Sequence, residues 1–383
     1  MRNLVAPLLT VPLLVLAPQP AAHAAGTCQG QAATIESAGG TTPVTGTEGP
    51  DVILVTGYGT INALGGDDVI CSGGGTLDAG AGNDSVTVTL GGLNLQTAYL
   101  GSGVNHYTSI ASVYDSVFSG TPTEPNLDVI DGGSAGDGVT VMLAPGSHPQ
   151  VNRGFLEVQA VPGDTAAWDV QLPGTVSRDG VSMGSFTNLS GLGLDFGPAT
   201  SVTVHGTPGA DNLRLGAGTV DASMGGGKDT VSFDRTHTVP TAGAIDFGKG
   251  KDLLSFDSTT RISLDLREGR GLGLTGLEES VLAAPKIRYQ GATGHDKVYA
   301  IGCQVVLRGG AGNDRFAHAN EDVAPSTPQC RQYKFRMFGQ AGDDVLTGWR
   351  GRDFLDGGQG RDKANGRQNV DTCHAEVEEE CER

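Results

Sequence analysis

Acidic side chains recur at a fixed spacing near the end of this sequence. Residues 339–365 read GQAGDDVLTGWRGRDFLDGGQGRDKAN, three lines of nine residues with glycine first and fourth and aspartate sixth. The sixth-position residues are Asp344, Asp353 and Asp362. Carboxylate oxygens displayed by a turn are the ligands that hard cations such as Ca²⁺ prefer. The pattern therefore predicts cation binding.

The same phase recurs in three longer copies of one unit, which begin at Gly46, Gly206 and Gly291. In each copy an early aspartate is followed 17 or 18 residues later by a second aspartate in a glycine turn. The pairs are Asp51 with Asp68, Asp211 with Asp229, and Asp296 with Asp314. A further step of 16 residues leads from Asp68 to Asp84, and Asp252 lies in a degenerate copy of the repeat. Two lines of nine residues therefore form one structural period.

Short alternating segments follow these aspartates and must position them. Residues 52–54 and 230–233 are rich in the β-branched residues typical of strands. Glycine turns that alternate with short strands predict a coil of parallel β-structure, and this nonapeptide is a known calcium-binding repeat signature. The predicted fold is all-β, a parallel β-roll or β-helix solenoid with irregular insertions.

The geometry of such a coil selects the cation. Successive coils lie about 4.8 Å apart, so aspartates one coil apart stack on the same edge. Two carboxylates at that distance repel by roughly 1 kcal/mol in water and by about 3 kcal/mol at an effective dielectric near 20. A cation midway has oxygens about 2.4 Å away, within the calcium range and beyond the distance that magnesium requires. Several calcium ions are the predicted cofactors.

The predicted ligand set is one aspartate from each of two stacked turns, completed by turn carbonyls, which glycine exposes at no steric cost. Asn83 and Asn313 precede an aspartate and are predicted to assist the turn. The predicted metal-site residues are Asp51, Asp68, Asp84, Asp211, Asp229, Asp252, Asp296, Asp314, Asp344, Asp353, Asp362, Asn83, Asn313, Gly309, Gly312, Gly342, Gly351 and Gly360.

The two edges of the coil receive different predictions. Nine residues after the first aspartate, the long units have Thr60, Val220 and Val305, so ions are expected along one edge only. In the last block Asp344 and Asp362 share an edge and form the best-specified site. Asp353 lies on the other edge, and because Phe335 stands 18 residues before it, Asp371 is its candidate partner.

The N-terminal segment and the cysteines indicate export. Residues 1–24 carry one early charge, an apolar run and Ala22-His23-Ala24, the pattern of a cleaved secretory signal. The chain has six cysteines, which predicts three disulfides in an oxidising, extracellular location. Among 15 possible connectivities, local pairing is expected: Cys28 with Cys71, Cys303 with Cys330, and Cys373 with Cys381.

With these residues in view, the chain resembles the secreted calcium-binding proteins with hemolysin-type, or RTX, repeats. The resemblance covers residues 46–87, 206–233, 291–317 and 339–365, and it implies a parallel β-roll whose folding is driven by calcium. An N-terminal signal and six cysteines depart from the family, whose members use an uncleaved C-terminal export signal and avoid cysteine. A pore-forming role is therefore not expected.

The same reading divides the chain into segments. They are a signal peptide (1–24), a cap with the first repeat block (25–87), a degenerate coil or insertion (88–200), a second block (201–290), a third block with an insertion at 319–336 (291–366), and a disulfide-closed cap (367–383).

Charge and motifs limit the functional classes. A net charge of −18 disfavours nucleic acid and anionic membranes as partners, and no membrane insertion is expected. No H-E-x-x-H is present, and the two G-x-S-x-G matches, at Ser134 and Ser182, lack the flanking helix of a nucleophile elbow. No enzyme is therefore predicted.

Two alternatives remain open. One is a calcium-dependent β-helix lyase or hydrolase of acidic polysaccharide, for which His148, Arg153 and Arg178 are the candidate basic residues. The other is an adhesive rod that calcium stiffens. Any cell-surface or polysaccharide partner is undetermined at this point.

Overall fold

The computed structural model describes residues 26–88, 96–109, 115–121, 123, 125–131, 138–235, 239–267, 272–319 and 328–381. The predicted signal peptide, the motif at Ser134 and residues 320–327 of the insertion at 319–336 lie outside these residues. The described part of the chain contains strands and turns and no helix. Accordingly, no described helix has the length and apolar character to cross a membrane.

The strands are short and regularly spaced. From β1 to β38 in chain order they are Thr27–Cys28, Gln31–Ala32, Ile35–Ser37, Val44–Thr45, Val52–Val55, Gly59–Asn62, Val69–Ser72, Gly75–Asp78, Ser85–Val88, Gln96–Tyr99, His106–Ser109, Asp115–Ser119, Val129–Asp131, Gly138–Leu143, Gln150–Ala160, Ala167–Gln171, Thr175–Arg178, Val181–Ser182, Ser185–His205, Asn212–Ser223, Gly226–Gly227, Thr230–Phe233, Ala242–Asp246, Lys249–Gly250, Leu253–Asp257, Arg261–Asp265, Gly273–Thr275, Glu279–Ala283, Lys286–Gln290, Lys297–Ile301, Gln304–Ala311, Arg315–His318, Lys334–Ala341, Val345–Thr347, Phe354–Gln359, Lys363–Asn365, Thr372–His374 and Val377–Glu379.

Alternate strands pair in parallel, so the chain winds as a coil with two faces. In the N-terminal part β5, β7, β9, β11 and β13 form one face, while β6, β8, β10, β12 and β14 form the other. Register is set by the inward residues, as in the column Ile53, Ile70 and Val86. The predicted all-β parallel solenoid is confirmed.

The middle of the chain continues this coil and exchanges its faces. β14 pairs with the second half of β15, which pairs with the middle of β19, which in turn pairs with the start of β20. The strand that follows Asp211 therefore extends the face of β14, whereas the strand that follows Asp128 belongs to the face of β13. Between them, β16, β17 and β18 form an antiparallel excursion.

After β20, β23 and β27 continue its second half within the large sheet, and from β26 onward one face forms a separate sheet. β22, β25, β28, β30, β32, β34, β36 and β38 pair in sequence on one face. β26, β29, β31, β33, β35 and β37 form a six-stranded parallel sheet on the other. Because parallel strands of successive coils align residue for residue, any motif with the period of the coil forms a straight column.

A thin apolar core runs between the faces from Val44 to Cys373. The alternating strand pattern supplies it, because each second residue is buried, as Ile287, Leu307 and Leu355 are. Each such side chain contributes about 1.5–3 kcal/mol by leaving water. Trp168 is the largest buried side chain and stacks on Phe196 at 4.3 Å between ring centroids.

All three predicted disulfides form. Cys28 is bonded to Cys71, Cys303 to Cys330 and Cys373 to Cys381, with Cα separations of 5.5, 5.2 and 5.9 Å. The first ties the hairpin of β1 and β2 to β7, the second ties Cys330 to Cys303 just before β31, and the third closes the last coil. Native disulfides of this kind typically stabilise a fold by about 2–4 kcal/mol each.

Candidate metal site

The sixth-position aspartates form ladders of buried carboxylates. In each ladder, the backbone N–H of one aspartate donates to Oδ1 of the aspartate one coil later, as from Asp314 to Asp344 at 2.7 Å and from Asp344 to Asp362 at 2.9 Å. The other aspartate pairs are Asp51 with Asp68, Asp68 with Asp84, Asp211 with Asp229, Asp229 with Asp252, and Asp296 with Asp314, at 2.8–3.0 Å. The structure thus brings the predicted pairs together.

Three ladders result, and each contains residues that the sequence pattern did not identify. The first ladder runs Asp51, Asp68, Asp84, Asn105, Asp128. The second ladder runs Asp211, Asp229, Asp252, Glu278. The third ladder runs Asp296, Asp314, Asp344, Asp362, Glu376. The members that the sequence pattern missed are Asn105, Asp128, Glu278 and Glu376. Each either has a side chain other than aspartate or follows a coil whose length differs from the usual 16 to 18 residues.

The second carboxylate oxygen, Oδ2, distinguishes the aspartates within a ladder. In seven of them it is buried, and no hydrogen-bond donor of the described residues reaches it: Asp68, Asp84, Asp229, Asp252, Asp314, Asp344 and Asp362. We call these the unpaired oxygens. A buried ionised oxygen without a donor is strongly destabilising. A bound cation is a natural complement for such an oxygen.

The first aspartate of each ladder is satisfied differently. Thr47 donates its backbone N–H to Asp51 Oδ2 at 2.7 Å and its hydroxyl to the same oxygen at 2.9 Å. Thr207 does the same for Asp211, with a backbone bond of 2.7 Å. The Tyr289 hydroxyl hydrogen-bonds Asp296. These three predicted ligands therefore have protein donors, unlike the aspartates that follow them.

Glycine at the first repeat position makes room for the unpaired oxygen. A Cβ on Gly339 would collide with Asp344 Oδ2 and would lie 2.6 Å from the carbonyl oxygen of Gly357. Gly309 has the same relation to Asp314 and to the carbonyl of Gly339. A carboxylate oxygen and a carbonyl oxygen of the next coil thus converge on one side of each glycine. Converging oxygens without a donor fit a calcium ion.

This geometry coincides with a known repeat. The family model described as the RTX calcium-binding nonapeptide repeat matches residues 305–319 and 336–364, in four copies. The chain carries RTX calcium-binding repeats. No curated protein matches the chain.

The RTX match covers part of the third ladder, including Asp314, Asp344 and Asp362. The first and second ladders lie outside it, yet they repeat the same hydrogen bonds and the same unpaired oxygens. Structure therefore extends the RTX-like arrangement to coils whose sequence has diverged.

Glycine at the fourth repeat position has a backbone role. Gly342 has φ 133°, and a Cβ there would collide with the carbonyl oxygen of Gly312 in the preceding coil. The predicted glycines Gly312, Gly351 and Gly360 also have positive φ, between 114° and 144°. The turn therefore explains why glycine recurs at this repeat position. Any role of the glycine carbonyls as metal ligands is additional.

One RTX turn has a side chain where its neighbours have glycine. Gln340 occupies the second repeat position with φ 81°, whereas Gly310 and Gly358 occupy it one coil before and after. We expect Gln340→Gly to raise the free energy of unfolding by about 1 kcal/mol, since a side chain is strained at positive φ. Gln359→Gly is the matched control: Gln359 is exposed and lacks positive φ, so destabilisation is expected. Urea unfolding of both variants in the presence of calcium measures these changes. Equal changes in the free energy of unfolding would contradict the claim that Gln340 is strained.

The opposite edge holds a shorter arrangement. Asp353 Oδ1 accepts from the backbone of Phe335 at 2.9 Å, and its Oδ2 accepts from the backbone of Trp349 at 2.9 Å. The backbone of Asp353 donates to Asp371 Oδ1 at 2.7 Å, so Asp371 lies where the 18-residue spacing places it. Both oxygens of Asp353 thus have donors.

The fifth-position residues Asn83 and Asn313 lie outside the buried ladder. The backbone of Asn313 donates to His295 Nδ1 at 2.8 Å, and its side-chain oxygen accepts from the backbone of Asp343 at 2.9 Å. Asn83 similarly links Asp67 to Val104. These exposed bonds connect successive turns.

Burial shifts the protonation of the ladder carboxylates. Loss of solvent raises the pKa of Asp68, Asp229 and Asp296 to about 6. The same cause raises the pKa of Asp84 and Asp314 to about 7, with neighbouring carboxylates adding to the effect. Burial also raises the pKa of Asp344 and, on the opposite edge, that of Asp353 to about 6. Without a cation, the fold holds protons on carboxylates that are ionised in water.

Side chains alone do not enclose a metal. Within the described ranges, no group of three or more His, Cys, Asp or Glu side chains is placed to hold a metal ion. Calcium takes six to eight oxygens. Turn carbonyls such as that of Gly357 must therefore supply much of any coordination shell.

Proposed function

We propose that this chain is a secreted protein in which calcium ions, bound along the three ladders, drive the β-solenoid to fold. One observation carries the proposal: seven buried carboxylate oxygens of the three ladders have no donor among the described residues. The converging carbonyls beside Gly309 and Gly339, together with the RTX match, support calcium as the cation. The three disulfides support an extracellular location.

The proposed role is binding, without catalysis. Ser182 lies in β18, which pairs with β17 in an antiparallel hairpin, and its hydroxyl contacts the carbonyl of Gly184 at 3.5 Å. A nucleophile elbow instead places serine between a strand and a helix. Arg178, a candidate base for a lyase, is held by Asp164 at 2.7 Å. These contacts favour structural roles for both residues.

Calorimetric titration at two pH values tests calcium binding. At pH 7.5 we expect calcium to bind at several sites and magnesium to bind weakly, because the ladder spacing suits the longer calcium–oxygen distance. At pH 5.5 the affinity should fall by at least tenfold, because Asp84 and Asp314, with pKa values raised to about 7, must release protons to bind calcium.

Proton release provides the internal control for this titration. Repeating it at pH 7 in buffers of different ionisation enthalpy should show protons released per calcium bound, since the raised pKa values leave part of the ladder protonated there. Calcium binding that is equally tight at both pH values, with no proton release, would refute binding at these carboxylates.

A further inference from the structure

One face of this acidic protein is strongly basic. In the six-stranded sheet of β26, β29, β31, β33, β35 and β37, the inward residues form the core and the alternate residues face outward. Six of the outward residues are exposed cations: Arg261, Lys286, Arg288, Arg308, Lys334 and Arg336. We call this surface the basic face.

Few carboxylates offset the basic face. Among the outward positions of its six strands, the acidic residues are Asp265 and Asp356, and Asp265 is bonded to Arg267. The whole chain, in contrast, has a net charge of −18. Six positive charges concentrated on one sheet are therefore an exception to the overall charge of the molecule.

Protein carboxylates do not neutralise these cations. None of the six has an ion pair within the described part of the chain. Two of the four arginines instead lie over aromatic rings: Arg308 is 5.0 Å from the centre of the Phe338 ring, and Arg336 is 5.8 Å from the centres of the Phe338 and Phe354 rings. Such contacts orient a guanidinium and leave its charge available.

The cations form columns with the period of the coil. Arg261 aligns with Lys286 in the next strand of the sheet. The same column continues through Gln304 to Lys334. Arg288 aligns with Arg336 through Val306. Adjacent coils are about 4.8 Å apart. The face thus presents positive charge repeatedly along a straight line, which suits an extended polymer better than a compact ligand.

A shallow groove extends the basic face at one edge. It has a volume of about 570 Å³, and its lining includes Arg331, Lys334 and Arg352, together with Tyr333 and Asn369, and no carboxylate. Lys334 belongs to both surfaces. The groove therefore lengthens the positive track beyond the sheet.

We propose that the basic face binds a linear anionic polysaccharide of the polyuronate type. Arginine pairs with carboxylates through two parallel hydrogen bonds, and four of the six cations are arginines. A pyranose unit in an extended chain advances by a distance similar to one coil, so successive uronates meet successive rows of cations. The acidic remainder of the molecule repels the polymer and confines it to this face.

The details favour a polysaccharide over single-stranded nucleic acid. Nucleic acid binding without sequence preference depends on bases stacking on open aromatic rings. Phe338 and Phe354 are half-buried, and arginines lie over both. Carboxylates spaced along a sugar chain need only the cations.

Binding measurements on the calcium-loaded, full-length protein test this proposal. Oligogalacturonate should bind with an affinity that falls steeply with salt, whereas neutral dextran should not bind. The variant Arg288→Gln/Arg308→Gln/Arg336→Gln should lose roughly tenfold in affinity, as expected for three exposed charge contacts. The matched variant Lys249→Gln/Lys251→Gln/Arg315→Gln, which removes three exposed cations outside the basic face, should bind as the wild type does.

Free calcium must be buffered, because polyuronate itself binds calcium, and circular dichroism must confirm that the strand signal is intact during binding. If the triple arginine variant fails to fold, Lys286→Gln/Lys334→Gln removes two cations that make no ring contact within the described residues and should still weaken binding several-fold. Equal binding by wild type and both basic-face variants would overturn the proposal. Tighter binding of a single-stranded oligonucleotide of equal charge would also overturn it and assign the face to nucleic acid.

Discussion

Chelation of calcium at pH 8 is expected to remove most of the strand signal of this protein and to lower its melting temperature by tens of degrees. Seven unpaired oxygens lie in three ladders, and without a cation each is a buried charge facing other oxygens. A ligand present at 100 times its dissociation constant stabilises the folded state by about 2.7 kcal/mol per site. Two to four such ions match the whole stability of a typical domain, about 5–15 kcal/mol.

Circular dichroism during a calcium titration measures this coupling. The signal of the chelated protein should return cooperatively as calcium is added, and magnesium at the same concentration should restore much less of it. The disulfides should hold some residual order at the two ends, near Cys71 and Cys373. An unchanged strand signal between chelator and millimolar calcium would exclude coupling between calcium and folding.

Lowering the pH of the chelated protein provides a control for the calcium titration, because protons can neutralise the ladder carboxylates in place of calcium. The folded-state pKa values of Asp68 and Asp229 are raised to about 6, and those of Asp84 and Asp314 to about 7, above the ordinary value of 3.8. The folded state therefore binds more protons than the unfolded state, and this contribution is complete below about pH 4 and lost as pH rises through 6 to 7. Chelated protein should thus regain strand signal between pH 8 and pH 5.

The repeat was predictable wherever its phase survives in the sequence. In the third ladder a glycine five residues before each aspartate marks the space for the carboxylate, as Gly339 does for Asp344 and Gly357 for Asp362. The disulfide pairs also followed from the sequence, because each cysteine is closest along the chain to its partner. Local spacing carries this information, so local reasoning recovers it.

Features that depend on coil length were not predictable. Asn105 and Glu278 lie 21 and 26 residues after the preceding ladder residue. A search with a fixed period of 18 residues therefore does not find them. The exchange of faces through β15 and β19 depends on strand pairing across the middle of the chain. The sequence pattern also treats all the aspartates alike. In the structure, Thr47 and Thr207 donate hydrogen bonds to the first aspartate of two ladders, which distinguishes those aspartates from the ones that follow.

A pair of substitutions separates the two kinds of buried aspartate. In Asp344→Asn, the amide oxygen can still accept from the backbone of Asp314, and the amide nitrogen replaces the unpaired Oδ2 beside the carbonyl of Gly357. The variant therefore loses a buried charge and gains a donor that faces an acceptor. We expect it to be more stable than the wild type in chelator by about 1–3 kcal/mol, and less stable in calcium.

Asp353→Asn should behave in the opposite way. Both oxygens of Asp353 accept backbone N–H groups, from Phe335 and Trp349, so an amide nitrogen in place of either oxygen sets a donor against a donor. The variant should be destabilised by about 1–3 kcal/mol in chelator and in calcium alike. Because the chelated wild type is expected to unfold at pH 8, melting at pH 6 with and without calcium gives the comparison. A crossover with calcium for Asp344→Asn and none for Asp353→Asn is the result that assigns the cation to the unpaired oxygens; parallel losses in the two variants would show that both aspartates serve only as hydrogen-bond acceptors.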